Sequence, residues 1–389
     1  MSKKVNGSGK AGKIVLFAVE IVILFVLVVG LWLILKATGK IDKNRTGDTS
    51  TSSQGVLKIS LDEDDLAKEM AKEVQENETM KGYRNIALFG VDSRNGLLAT
   101  GTRSDTIMIA SINQETKEVK LVSVYRDTYL NQMGSSGNFG KCNASYAYGG
   151  AEQAIKMLNS NLDLDITDFV TIGFEGLRDA IDALGGVYID VTEEEIAHIN
   201  NYQISLVNDC FGGTYTPVTE PGRQLLDGIQ ATAYCRVRYT AGSDFMRTQR
   251  QRDVIQATLA VAKTAPASDL KKICTNVFSE VYTSLDLDEI IELLMSITEY
   301  NIVADAGFPT AGQITTGNIG SKGSCVIPVD LTTNVKWLHE FLFNDTDYQV
   351  SENVRNYTQR IYNETAEYLD GRLADPQTYT GENDVEATE

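Results

Sequence analysis

The stretch RNIALFGVDSRNGLLATGTRSDTIMIAS, Arg84–Ser111, contains two apolar runs of strand length, each with an aspartate and an arginine at one end. Asp92 and Arg94 follow IALFGV, and Arg103 and Asp105 precede TIMIAS. Runs of this length bounded by Gly, Asn and Ser predict buried strands. The ends of such strands lie at the edge of an α/β sheet, where ligands bind. Charges held there by rigid strands can converge on one ligand; read singly, they also suit structural ion pairs.

Working outward, VKLVSVY is a third strand, joined to the second through the hairpin turn NQETKE. GGAEQAIKMLNSNL reads as a helix with Ile155, Leu158 and Leu162 on one side. DFVTIGF is a strand on which Val170, Ile172 and Phe174 alternate. EGLRDAIDALGG is a helix ending at glycine, and VYIDV is a strand again. DGIQATAYCRVRY, DFMRTQRQRDVIQATLAVAKTA, SDLKKICTNVFSEV and LDEIIELLMSITEY read as helices. CVIPVD is a late strand, TNVKWLHEFLF the last helix, and NNYQISLVNDCFGGTYTPVTEPG a loop. A hairpin among strands interleaved with helices predicts a three-layer α-β-α fold around a central mixed sheet.

The ends of the chain differ from this body. Ile14–Leu35 is 22 residues long and apolar except for Glu20 and Gly30. That length suits one N-terminal transmembrane helix. Basic residues flank it on both sides, so their distribution leaves its orientation nearly tied. The 13-residue leader and large remainder favour the body outside. Residues 1–13 are then a cytoplasmic tail, 36–56 a flexible stalk, 57–365 the folded domain, and 366–389 an acidic, disordered tail. A helix after Ser60, with Leu66, Met70 and Val74 on one face, opens the domain.

The net charge is −18, and residues 1–45 carry +6 of it, so the rest stands at −24. Such a body is unsuited to nucleic acid, which requires basic surface to displace counterions. Two histidines, His198 and His339, and five cysteines without a CxxC pair exclude a histidine-rich zinc centre. One cysteine at least is unpaired within the chain, and Cys235 reads as a core thiol.

Against that acidity, four segments concentrate charge: GVDSR (90–94), RSDT (103–106), YRDT (125–128) and RVRYTAGSDFMRTQRQRD (236–253), the last with five arginines. Guanidinium groups bind phosphate oxygens two at a time. Asp92 and Asp105 are hard oxygen donors of the kind that hold Mg²⁺ together with substrate phosphates. Arginines and carboxylates with almost no histidine point to phosphoryl chemistry rather than acyl transfer. Arg250 and Arg252 read as a solvated helix face. Val170, Ile172 and Phe174, and the stripe Ile290, Ile291, Leu294 and Ile297, fit either ordinary core or an apolar ligand slot.

NIALFGVDSR, RSDTIMIASINQETKEVKLVSVYRDTYL, KCNASYAYGGAEQAIKMLN, FVTIGFEGLRDAIDALGGVYIDV and LLDGIQATAYCRVRYTAGSDFMRTQRQRDVI, in this order, resemble the LytR–CpsA–Psr family of bacterial cell-wall enzymes. The resemblance spans residues 83–264, and the short tail and single apolar span also fit it. It implies an outward-facing enzyme anchored in the membrane of a Gram-positive-type bacterium. Such an enzyme moves a teichoic acid or capsular polysaccharide from a polyprenyl-diphosphate carrier to peptidoglycan through a phosphodiester. It further implies Asp92 and Asp105 as carboxylates for Mg²⁺, or Mn²⁺. Arg103, Arg126, Lys141, Arg236, Arg238, Arg247 and Gln251 are implied as diphosphate-binding residues, with Arg126 and Arg247 catalytic, and Asp244 as the base. The attacking group it implies is the C6 hydroxyl of N-acetylmuramic acid. Tyr125 stands where the family usually has Pro, and Met246 where it often has Gly. A diphosphate hydrolase and a non-catalytic wall-polymer or lipid-binding scaffold are the alternative readings.

Overall fold

The computed structural model describes residues 79–92, 98–133, 137–238, 243–264, 281–285 and 298–369. The proposed span at 14–35, the stalk, the helix after Ser60, Arg94, and the stripe Ile290–Ile297 lie outside the described residues. Among the described residues no helix is long and apolar enough to cross a membrane.

The elements run β1 (Tyr83–Val91), β2 (Ser104–Asn113), β3 (Glu118–Val124), β4 (Tyr129–Asn131), β5 (Phe139–Lys141), α1 (Ala144–Leu162), β6 (Asp168–Ile172), α2 (Phe174–Ala183), β7 (Val187–Val191) and α3 (Glu193–Leu206). Then follow β8 (Gly222–Leu226), α4 (Gly228–Tyr234), α5 (Ser243–Thr264), β9 (Val281–Thr283), β10 (Asn301–Phe308), β11 (Ile314–Asn318), β12 (Ser324–Pro328), α6 (Leu331–Phe343) and α7 (Glu352–Leu369). Six strands form the central sheet in the order β10-β3-β2-β1-β6-β9. It is mixed: β1, β2 and β3 pair antiparallel, while β1–β6 and β3–β10 are parallel.

The period of two in the opening stretch becomes the two faces of this sheet. Ala87, Phe89, Ile107 and Ile109 join one core with Ile155 and Leu158 of α1 and Leu338 and Leu342 of α6. Ile86, Leu88, Met108 and Ala110 join the other with Ala180 of α2 and Leu259 of α5. Helices therefore cover both faces, as the strand–helix alternation predicts. A third cluster unites the ribbon β7–β8 with α3 and α4.

Four local expectations are corrected. Residues 201–206 belong to α3, and 207–211 form a π-helical turn, so the first half of the expected loop is helical. The capping box of Thr192 and Glu195 starts that helix. The sixth strand ends at Ile172, and Phe174 opens α2. TNVKWLHEFLF is followed by a further helix, α7, which continues to Leu369, four residues into the stretch expected as a tail. Residues 235–238 of the expected helix lie beyond α4, because that helix stops at Tyr234 and the chain leaves it as a turn.

α6 and α7 complete the first core, and His339 of α6 is fully buried there. Its Nε2 donates to the Leu162 carbonyl at 3.0 Å, and its ring stacks on Tyr348 at 3.5 Å. Burial pulls its pKa down to about 4. Below the ordinary value of 6.5 the unfolded chain therefore takes up a proton that the folded chain refuses. The linked stability is present at neutral pH and is lost as pH falls from 6.5 to about 4, by roughly 3 kcal/mol. Urea unfolding of the wild type and His339→Gln at pH 7 and pH 4.5 should show this as a steeper acid loss in the wild type. Equal losses would rule it out.

Candidate active site

Four elements bring the charged segments to one end of the sheet. β1 delivers Asp92 past an irregularity in its pairing with β2 at Gly90/Val91, and Thr102 Oγ1 anchors the Asp92 carbonyl at 2.9 Å. β2 brings Asp105, its second residue, to the same end. Arg126 follows β3 and donates through Nη1 to Asp105 Oδ1 at 2.7 Å. Arg247, in the second turn of α5, reaches the Asp105 carbonyl with Nη2 at 3.4 Å and is only 3% exposed. The turn after α4 adds Arg236 and Arg238.

These side chains line a cavity of about 410 Å³. One end carries Asp92, Asp105, Arg126, Arg236, Arg238, Arg247 and Gln251, and the rest is walled by Leu88, Met108, Val170, Ile172, Leu177 and Ile255. The change from charge to hydrocarbon is written along two elements. Arg247, Gln251 and Ile255 follow at four-residue spacing on one face of α5, about 12 Å from first to last. β1 runs the same way: Leu88 lies within the strand and Asp92 directly after its end, about 13 Å further along the chain. Four guanidinium groups face two carboxylates there, so the polar end carries a cationic surplus in an acidic protein. Burial works to raise the Asp105 pKa. The charges of Arg247, Arg126 and Arg238 outweigh that effect and hold the carboxyl below its ordinary range.

Of the residues expected in the site, Arg103 is exposed and is not part of the cavity wall. Lys141 stands behind the wall: its Nζ lies 3.4 Å from Asp127 Oδ1, whose other oxygen lies 3.6 Å from Arg126 Nε. Asp127, in YRDT, thus sits between two cations, a place its segment hinted at only through the recurrence of Asp beside Arg. Asp244 falls in the first turn of α5, and its side chain lies outside the described residues. Tyr125 is accommodated without displacing Arg126. Its ring meets Phe245 edge-on at 4.4 Å, and Gly307 leaves the space that a Cβ would take from its hydroxyl.

Arg250 and Arg252 correct the expectation of a solvated face. They are 3% and 6% exposed. Arg250 pairs with Glu195 at 2.7 Å, and Arg252 pairs with Asp305 at 2.7 Å while bonding Ser123 Oγ at 2.8 Å. The rings of Phe174 and Tyr202, also in the cavity wall, both contact the Arg236 guanidinium, at 4.9 and 5.1 Å. Tyr202 had no signal in the sequence, because it lies in the stretch read as loop.

A family model described as the LytR_cpsA_psr family matches residues 50–322. The chain belongs to the LytR–CpsA–Psr family. Among the relatives of this LytR–CpsA–Psr protein, the polyisoprenyl-teichoic acid–peptidoglycan teichoic acid transferase TagU of Enterococcus faecalis is 30% identical over 229 residues, 58% of this chain and 70% of that protein. The TagU of Bacillus subtilis is 30% identical over 234 residues, 59% and 68% of the two chains. The crystal structure of B. subtilis TagT, 24% identical, shares the fold with a TM-score of 0.52 over 69% of this chain and 94% of that one. The mixed central sheet is thus the fold of the family, and the folded chain runs past the family match through β12, α6 and α7.

Proposed function

We propose that this LytR–CpsA–Psr protein is a phosphotransferase that moves an anionic glycopolymer, a teichoic acid or capsular polysaccharide, from a polyprenyl-diphosphate carrier to peptidoglycan. One observation carries the reading: a single cavity joins a guanidinium-lined end to a hydrocarbon slot, the two chemistries of a prenyl diphosphate. The transferase names of the two TagU relatives support it. The apolar stretch 14–35 would anchor the enzyme with its domain outside the cell, where peptidoglycan lies.

In this mechanism the arginines bind the diphosphate and hold its glycan-side phosphorus toward the acceptor. The acceptor's sugar hydroxyl forms a new P–O bond at that phosphorus. The bond to the bridging oxygen breaks, and polyprenyl phosphate leaves. Arg126, Arg236, Arg238 and Arg247 neutralise the charge on the phosphoryl oxygens and on the leaving group. Asp244 takes the hydroxyl proton; a loose transition state releases that proton late, so a weak base suffices. The apolar wall excludes water that would otherwise compete as nucleophile.

Asp92 and Asp105 fit Mg²⁺ or Mn²⁺. Their oxygens are hard donors at the ends of adjacent strands, and two carboxylates leave room for water and phosphate ligands. Among the described residues no group of three or more His, Cys, Asp or Glu converges to cage a cation alone. When bound, the ion would supply further charge neutralisation at the phosphates.

The full chain in detergent, given a lipid-diphosphate glycan, Mg²⁺ and peptidoglycan oligomers, should yield glycan joined to peptidoglycan through a phosphodiester. Glycan phosphate released with no conjugate would establish hydrolysis instead and overturn the proposal.

A further inference from the structure

The two arginines of the turn after α4 have no regular element of their own to hold them. Arg236 and Arg238 flank Val237, whose side chain is fully buried in the third cluster. That alternation turns both guanidinium groups toward the cavity. What fixes the turn comes from α3, whose second half falls in the stretch read as loop.

Glu195 and Tyr202 are seven residues apart on α3, two helical turns, and so share one face. Glu195 is 5% exposed and uses both carboxylate oxygens: Oε2 accepts from the Thr192 backbone N–H at 2.8 Å, and Oε1 from Arg250 Nε at 2.7 Å. Arg250 then donates from Nη1 to the Val237 carbonyl at 3.0 Å. Two turns along, the Tyr202 ring packs on the Arg236 guanidinium at 5.1 Å, as the Phe174 ring does at 4.9 Å. The same helix therefore grips the turn twice, once at its backbone and once at a side chain. A flexible arginine would otherwise lose rotamer freedom when it bound an anion, and this brace removes that loss beforehand.

We propose that Glu195, acting through Arg250, and Tyr202 are positioning residues that aim Arg236 and Arg238 at the diphosphate and so set the affinity for the lipid-linked donor. This deepens the transferase reading and rests on it for the identity of the donor; the brace itself is tested on inorganic pyrophosphate, whatever reaction the site performs.

The test is calorimetric binding of pyrophosphate to the full chain, with a mutant cycle. Tyr202→Leu should weaken binding about tenfold, the scale of one desolvated cation–π contact. Tyr202→Phe, which keeps the ring, should restore most of the affinity. In an Arg236→Ala background, Tyr202→Leu should change affinity by less than about twofold, because its effect passes through that arginine. Glu195→Gln should weaken binding similarly, since it replaces one of the two accepting oxygens that Thr192 and Arg250 use by an NH2 donor. With lipid-linked donor, Tyr202→Leu and Glu195→Gln should raise KM, and Tyr202→Phe should restore it. Unchanged pyrophosphate affinity in Tyr202→Leu overturns the proposal, as does an equal loss in the Arg236→Ala background. If Glu195→Gln does not fold, the Tyr202 cycle decides alone. Failure of the product assay with an intact cycle would remove the transferase reading and leave the brace standing.

Discussion

Arg247→Ala is expected to lower transfer at least a thousandfold while the protein stays folded. Arg247 is buried at the polar end of the cavity, and its neighbours are a carbonyl and a carboxylate rather than solvent. In such a site a fixed guanidinium acts on developing phosphoryl charge without waiting for water to reorient. One arginine placed in this way contributes about 10³–10⁵ in rate in other phosphoryl transfers, or roughly 4–7 kcal/mol of barrier. The fold should survive because Asp105 keeps Arg126 at 2.7 Å when Arg247 is removed. Arg126→Ala should be as inactive but less stable, since it takes a cation from both Asp105 and Asp127. Single-turnover product formation, with near-ultraviolet circular dichroism on the same samples, reads both effects. Full activity in folded Arg247→Ala and Arg126→Ala would discredit the clamp.

The hydrocarbon part of the cavity should be separable from the charged part. Ile255 lies two turns beyond Arg247 on the same face of α5 and is only partly buried, so its side chain borders open space. Ile255→Trp would fill that space. Denying a prenyl chain about 100 Å² of apolar contact costs roughly 2.5 kcal/mol, a loss of somewhat under a hundredfold in affinity. KM for a long-chain polyprenyl-diphosphate donor should rise accordingly, while pyrophosphate binds as in the wild type. A donor with a single isoprene unit should be far less affected. An equal penalty on all three ligands would mean that the substitution damaged the whole site and that the apolar wall does not hold the lipid.

The legible part of this site was the part encoded locally. The segments GVDSR, RSDT, YRDT and RVRY declared themselves by their density of Asp and Arg, the first three at strand ends, whereas the turn that carries Arg236 and Arg238 reads as helix. Asp92, Asp105, Arg126, Arg236, Arg238, Arg247 and Gln251 do share one cavity. Arg103 belongs to the same dense cluster, yet it precedes β2, where its side chain is exposed and outside the cavity wall. Phe174 misled by one residue of alternation: the strand ends at Ile172 and the chain turns into a helix.

By itself, the sequence determined the three layers of this protein. Alternation along 86–89 and 107–110 assigns each residue to one sheet face, and helical spacing assigns the faces of α1 and α6; both follow from local backbone geometry. Only the tertiary structure decided that Arg250 and Arg252 of α5, read as a solvated face, are buried. These arginines find Glu195 55 residues earlier, Asp305 53 residues later and Ser123 on β3, and a charge is stable in the interior only when such partners arrive. Periodicity records what a segment could bury against something, whereas pairing over such separations is settled only when the whole chain folds.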